Sequence, residues 1–190
     1  MADNLSNNGG KSKVRSKVDP EKPIYAAKIF DVDTFDEESL QTIFKEVKIN
    51  SMVSSEYCVR HYQTIKTSKK IYMIQEYANC FDVACLMEQR GQIKQSEARI
   101  IMRQLVRGIR DIHNLNIVHR DLKLANVLLH FPDMPQLEQL TPQMKKQFLR
   151  QVDLTAVNFK AKISDFGLSK VLDDTQSQQT IVGTPLYQSP

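Results

Sequence analysis

The spacing of apolar positions changes period several times along the chain, and each change predicts an element. A β-rich stretch begins near Lys13 and ends in Ile24-Tyr25-Ala26-Ala27-Lys28-Ile29-Phe30. Leu40, Ile43, Phe44 and Val47 then recur at helical spacing, so a helix is expected over 34–52. Thr34, with Glu37 three residues on, fits a capping box at its start. Strands are expected over 59–65 and 71–76. Ser96 reads as the cap of a long helix to His113, with Ala98, Ile101, Met102, Leu105, Ile109 and Ile112 on its apolar face. Short β-like runs follow at 117–118, 127–129 and 161–163. Between the last two, Thr141-Pro142 has the form of an N-cap followed by proline at the first helical position. Met144, Phe148 and Leu149 would form one face of that helix, which reads as a surface decoration.

Composition narrows the class without naming an activity. The chain has 190 residues, 41% hydrophobic and 25% charged, enough apolar content for a real core. The net charge of +4 is mild, and Lys11, Lys13, Arg15 and Lys17 supply part of it without interleaved aromatics. No nucleic-acid partner is expected. Three cysteines without CxxC spacing read as free thiols in a reducing compartment. No apolar run approaches the roughly 20 residues of a membrane span, and the polar first residues carry no secretory signal. The expectation is an intracellular, cytoplasmic protein.

The strongest chemical signal is His119-Arg120-Asp121-Leu122-Lys123-Leu124-Ala125-Asn126. Phosphoryl transfer to a hydroxyl needs a carboxylate beside the attacking oxygen, a cation near the moving phosphoryl group and a metal ligand close by. Asp, Lys and Asn at i, i+2 and i+5 on one tight loop supply all three. The second signal is Asp165-Phe166-Gly167 after a short strand. Upstream, Tyr25-Ala26-Ala27-Lys28 is followed 18 residues later by Glu46. Lys28 or Glu46 alone would read as a solvated charge; their spacing, together with the two later motifs, reverses that reading.

These motifs resemble those of eukaryotic-type serine/threonine protein kinases, from about Gly9 to Pro190 apart from the segment after Leu129. The resemblance implies an α+β, two-lobed fold. Residues 1–10 are expected to be disordered, 11–75 to form the small lobe, 76–82 the hinge and 83–190 a partial large lobe with an insertion at about 130–160. It implies ATP and Mg²⁺ as cofactors and a protein with Ser/Thr acceptors as substrate. Asp121 and Lys123 would be catalytic, and Asn126 and Asp165 would hold the metal. Lys28 would position the α- and β-phosphates, fixed by Glu46. The Glu76 carbonyl and Ala78 amide would meet the adenine edge, with Gln75 as gatekeeper, Ala26 above the ring and Leu128 below it. Thr180 would be an activating phosphosite, and Thr184 would contact Asp121 and Lys123. His119 and Phe166 would form the lower half of a hydrophobic stack between the lobes. Its upper half would fall at Asn50 and His61, polar residues expected to hydrogen-bond each other or a trapped water. Lys123 in the loop points to serine/threonine rather than tyrosine specificity, and the ending Gly183-Thr184-Pro185-Leu186-Tyr187-Gln188-Ser189-Pro190 also resembles autophagy-initiating kinases.

Two departures from the pattern bear on activity. The glycine-rich phosphate loop keeps Gly9 and Val14 but has Asn7 and Ser12 where glycines are usual, so a degraded loop is expected. The chain is also expected to stop short of a complete catalytic domain, leaving the 96–113 helix without part of its packing. On its own it should then be inactive and poorly stable. The competing expectation is a catalytically inactive ATP-binding regulator or decoy that acts through protein contacts.

Overall fold

The computed structural model describes residues 10–14 and 24–172. Its first sheet is built by antiparallel pairing of β1 (Gly10–Val14), β2 (Tyr25–Asp31), β3 (His61–Lys66) and β4 (Lys70–Glu76), in the order β1-β2-β4-β3. In the two central strands Ala27, Lys28, Phe30, Ile71 and Met73 are buried. Phe30, Ile71 and Met73 pack against Ile43 of α1 (Glu37–Met52), so one face of the helix closes one face of the sheet. The helix begins later than the capping box predicts. Its N-cap is Asp36, whose Oδ1 accepts from the Ser39 amide at 2.9 Å. Thr34 instead closes a 3-10 turn by donating to the Asp31 carbonyl, while Phe35 packs edge-on against Phe30. Packing of Phe35 on the core moves the helix start two residues on.

The second half is mainly helical. Asp82 caps α2 (Val83–Arg90), and Gly91 ends it at φ +74°, a conformation that favours glycine. The long helix α3 (Gln95–His113) begins after Lys94, so Ser96 lies in its first turn rather than at its cap. The buried Glu97 sets that start, as described below. Only part of the expected apolar face of α3 is buried. Ile101 and Ile112 lie in the core with Leu105 and Ile109 packed beside them, whereas Met102 is 55% exposed. Gly108 continues the buried seam because nothing larger fits. A Cβ there would lie 3.0 Å from Ile163 Cδ1 and 3.1 Å from Tyr57 Cβ.

After α3 come β5 (Ile117–Val118), β6 (Val127–His130), α4 (Pro142–Gln151), β7 (Lys160–Ile163) and β8 (Lys170–Val171). The strands form two antiparallel pairs, β5 with β8 and β6 with β7. Thr141 caps α4 by accepting from the Met144 amide, and Pro142 occupies the first turn, as the sequence predicts. The face differs: Lys145 and Leu149 are buried, Phe148 packs on the core and Met144 is exposed.

The segment between β6 and β7 is not a surface decoration. Of the eleven buried residues in the largest apolar cluster, it supplies Phe131, Leu137, Leu149, Leu154 and Phe159. These pack with Val83 and Leu86 of α2 and Ile101 of α3. A buried polar node fastens the same segment. Arg90 donates through Nη1 to both Glu97 carboxylate oxygens at 2.9 Å, through Nε to the Leu149 carbonyl at 2.6 Å and through Nη2 to the Val152 carbonyl. Glu97, wholly buried, also accepts from the Leu154 amide at 3.0 Å. One ion pair thereby binds the carbonyls at the end of α4, and the turn just after it, to the end of α2 and the start of α3.

Burial acts to raise the Glu97 pKa, but the Leu154 amide and the Arg90 guanidinium outweigh it and the net shift is downward. A folded pKa below the unfolded one contributes stability that is complete above the unfolded value, about 4.3. It is lost as pH falls through the folded value. Glu97→Gln should therefore lower stability at pH 7 and flatten its decline under acid. Arg90→Met, which strands a buried carboxylate, should cost about 3–5 kcal/mol in chemical denaturation at pH 7. Denaturation midpoints that follow pH identically in Glu97→Gln and the parent chain would show that this node does not titrate with folding.

Candidate active site

Three elements converge on one ammonium group. Lys28 lies on β2, and the antiparallel register sets it opposite Met73 of β4. Glu46 lies in the third turn of α1, on its buried face. Asp165 follows β7 in a left-handed backbone conformation, φ +66°, that aspartate tolerates better than most residues. Lys28 Nζ is 2.7 Å from Glu46 Oε1 and 3.1 Å from Asp165 Oδ1. Lys28 is 7% exposed and Glu46 6%. Burial pulls the Lys28 pKa down, and the two carboxylates more than reverse it, so the amine is held as a cation.

The loop before β6 carries a second cluster. Asp121 Oδ2 accepts from Lys123 Nζ at 2.8 Å and from Asn126 Nδ2 at 3.0 Å. Asn126 Nδ2 also donates to the Asp121 carbonyl at 2.8 Å, which leaves Oδ1 as the acceptor of that buried amide. The Asn126 carbonyl accepts from both the amide and the hydroxyl of Ser164. The residue beside Asp165 is thus tied to the residue that orients Asp121, and the two clusters form one unit.

His119 completes the join. Its ring is 1% exposed and lies 5.0 Å from the Phe166 ring, centroid to centroid. Nδ1 accepts from the Asp121 amide at 3.3 Å, so Nε2 carries the proton and donates to the Ser164 carbonyl at 3.1 Å. Burial holds the ring neutral by lowering its pKa, although the Ser164 carbonyl and neighbouring carboxylates oppose it. Arg120, at φ +65°, donates from Nε to the Leu168 carbonyl.

The adenine-edge candidates lie on the connection between the two halves. Ala26 pairs with Gln75 across β2 and β4, and Tyr25 with Glu76. The Glu76 amide donates to the Arg60 carbonyl, and its carboxylate meets Lys162 at 3.0 Å and the Arg60 amide at 3.2 Å. Ala78 is 7% exposed. Beyond it, the Cys80 amide donates to Leu129, the Leu129 amide donates to Phe81, and Asp82 bridges to Leu128. Val14 pairs with Tyr25 at the end of β1. Gly9, Thr180 and Thr184 lie outside the described residues.

The upper stack does not form as expected. Asn50 is 2% exposed, and its Nδ2 donates to the Glu46 carbonyl one turn back at 2.9 Å. Its Oδ1 accepts from Gln75 Nε2 at 3.0 Å, so Gln75, not His61, is its partner. His61 is bonded to Thr64 Oγ1 on its own strand. The β3–β4 register sets His61 opposite Gln75, near enough to compete, but the longer amide side chain reaches α1.

A family profile described as a protein kinase domain matches residues 7–190. The chain belongs to the protein kinase domain family. This kinase domain is 30% identical over 155 residues to mouse serine/threonine-protein kinase 33, covering 80% of the chain and 28% of that protein. It is 31% identical over 165 residues to a zebrafish serine/threonine-protein kinase SIK3 homolog, covering 87% of the chain and 12% of the relative. It is also 32% identical over 155 residues to human NUAK family SNF1-like kinase 2, covering 82% of the chain and 20% of that protein. The chain therefore spans under a third of the length of these relatives. Kinase domains in general use ATP and a divalent metal ion. Among the described residues, no helix is long and apolar enough to cross a membrane.

Sequence reasoning missed Asn79, Lys145, Arg90 and Glu97. Each is polar and almost wholly buried or caged by backbone carbonyls, and the backbone groups it bonds include ones more than 50 residues away in sequence. For Asn50 half of the signal was present, because a polar residue at a position expected to be apolar calls for a partner, but the partner expected was His61 and not Gln75. Asn50→Leu strands the Gln75 amide and should cost about 1–3 kcal/mol. Asn50→Leu with Gln75→Met should recover about half of it. Additivity of the two changes within about 0.3 kcal/mol in a double-mutant cycle would show that the pair is not coupled.

Proposed function

We propose that the protein is a serine/threonine kinase that transfers the γ-phosphoryl group of ATP to Ser or Thr hydroxyls of a protein substrate. The observation that carries this reading is the single bonded unit running from Lys28, Glu46 and Asp165 through Ser164 to Asn126, Asp121 and Lys123. In it a fixed cation would face a nucleotide phosphate and a fixed carboxylate an acceptor hydroxyl. The small lobe would comprise residues 11–75, the hinge 76–82 and the large lobe 83–190, with the insertion at about 130–160 as part of its core.

Asn126 and Asp165 suit a hard cation: both offer side-chain oxygen, and Asn126 has its Nδ2 committed to Asp121. Mg²⁺ held there would neutralise phosphate charge. Asp121 orients the hydroxyl and accepts its proton as the oxygen bonds to the γ-phosphorus and the bond to the β–γ bridging oxygen breaks, releasing ADP. Lys123, already paired with Asp121, offsets charge on the moving phosphoryl group. Lys28, fixed by Glu46, holds the α- and β-phosphates; Gly9 and Val14 would cover them, and Ala26, Glu76, Ala78 and Leu128 would frame the adenine. Thr180 would receive an activating phosphate, and Thr184 would contact Asp121 and Lys123 when substrate is bound. A cytoplasmic location fits three free cysteines, with burial pushing the Cys58 thiol up to about 12 and the Cys80 thiol up to about 11.

Asp121→Asn should lower kcat at least about 100-fold on a serine peptide while leaving the ATP Kd nearly unchanged. Lys28→Met should instead weaken ATP-Mg²⁺ binding and turnover together. Turnover of Asp121→Asn within about threefold of the parent would sink the assignment.

A further inference from the structure

The segment between β6 and β7 does more than fill the core: it grips the hinge on both sides of Ala78. Lys145, in the second turn of α4, is 8% exposed. Its Nζ donates to the Asn79 carbonyl at 2.8 Å and to the Tyr77 hydroxyl at 3.2 Å, and lies 5.7 Å from the centre of the Tyr77 ring. Asn79, 1% exposed, reaches back the other way. Its Nδ2 donates to the carbonyls of Phe131 at 2.8 Å and Met134 at 3.2 Å, and its Oδ1 accepts from the Phe131 amide at 2.9 Å. Five hydrogen bonds thus join Tyr77 and Asn79 to the segment, and Ala78 is the residue between them.

This arrangement is costly to build for packing alone. Burial lowers the Lys145 pKa, with the neighbouring Cys80 and Glu138 opposing the shift, so the ammonium is desolvated where a methionine would fill the same space. What the ammonium adds over an apolar stem is direction. A charged donor on the Asn79 carbonyl fixes the peptide that follows Asn79, and its contact with the Tyr77 hydroxyl anchors the residue before Ala78. The Ala78 amide is therefore carried between two anchored residues, Tyr77 and Asn79.

Resting on the kinase reading above, we infer that Lys145 is a positioning residue for nucleotide recognition: through Tyr77 and Asn79 it aims the Ala78 amide at the adenine edge. The contact it controls is a single amide donor to a ring nitrogen acceptor, adenine N1. Misaligning that amide weakens ligands that carry the acceptor and spares those that lack it.

The test pairs protein variants with an altered nucleotide. Binding of ATP-Mg²⁺ and of its 1-deaza analogue, in which C–H replaces adenine N1, is measured by calorimetry on the full chain, with thermal unfolding alongside. Lys145→Met should weaken ATP up to about tenfold, the upper end for one neutral hydrogen bond. It should weaken the 1-deaza analogue less than about twofold, and in turnover the loss should fall on KM for ATP rather than on kcat. Tyr77→Phe, which removes one hydroxyl and endangers the fold less, should show the same selectivity at about two- to threefold. Equal weakening of both nucleotides would overturn the inference in favour of a general packing role, as would unchanged ATP binding in both variants. Failure of the parent chain to bind ATP at all would instead overturn the kinase reading and this inference with it.

Discussion

The site depends on one buried cation. An isolated ammonium at the position of Lys28 would be neutralised or expelled, because desolvation disfavours its charge. Two carboxylates prevent this, and neither is a local neighbour. Glu46 arrives on α1 and Asp165 on the turn after β7. The ion cluster is therefore also a test of assembly: sheet, helix and the helical half must all be in place before the charge is stable. Such a cluster adds little net stability. Its value is that few other arrangements of the chain satisfy it.

The helical half reaches the same cluster through a continuous route. Ser164 and Asn126 tie the Asp165 turn to the Asp121 loop, and the neutral His119 links the Asp121 amide to the Ser164 carbonyl. Beneath them lies a core to which the segment between β6 and β7 contributes nearly half of the buried apolar residues. Loss of that segment would uncover α2 and the start of α3, with Glu97 among the exposed groups. Its length had suggested an ornament. Its alternation of Phe131, Leu137, Leu149, Leu154 and Phe159 with polar residues is instead that of a core element, built from a short 3-10 turn, α4 and the loops around them.

What was legible in the sequence follows from the range of the interactions. That Lys28, Glu46 and Asp165 would meet, and that Asp121, Lys123 and Asn126 would share one loop, was readable because the motifs fix their spacing. The strand runs and the cap of α4 were readable because they are local. The start of α1 was not, since the packing of Phe35 on Phe30 overrides the Thr34 signal. Nor was the buried side of α4, where Lys145 is aimed inward by acceptors near Tyr77, 66 to 68 residues earlier. A lysine in a helix of mixed polarity reads as solvated until its acceptors are known.

The polar contact between Asn50 and Gln75 has a consequence for the cation. Glu46 and Asn50 are one turn apart on the buried face of α1, and both are fixed by directional bonds to the sheet, Glu46 to Lys28 on β2 and Asn50 to Gln75 on β4. An apolar contact at Asn50 would tolerate a small slide or rotation of the helix, since dispersion varies slowly with angle. A hydrogen bond of 3.0 Å weakens steeply when misaligned. Two such anchors on one face leave the helix little freedom to rotate about its axis, and rotation is the motion that would carry Glu46 away from Lys28. The Asn50 amide also holds the Glu46 carbonyl, so the side chain that reaches Gln75 and the backbone that carries Glu46 move together. β4 and the ion pair are thereby coupled through a single buried amide.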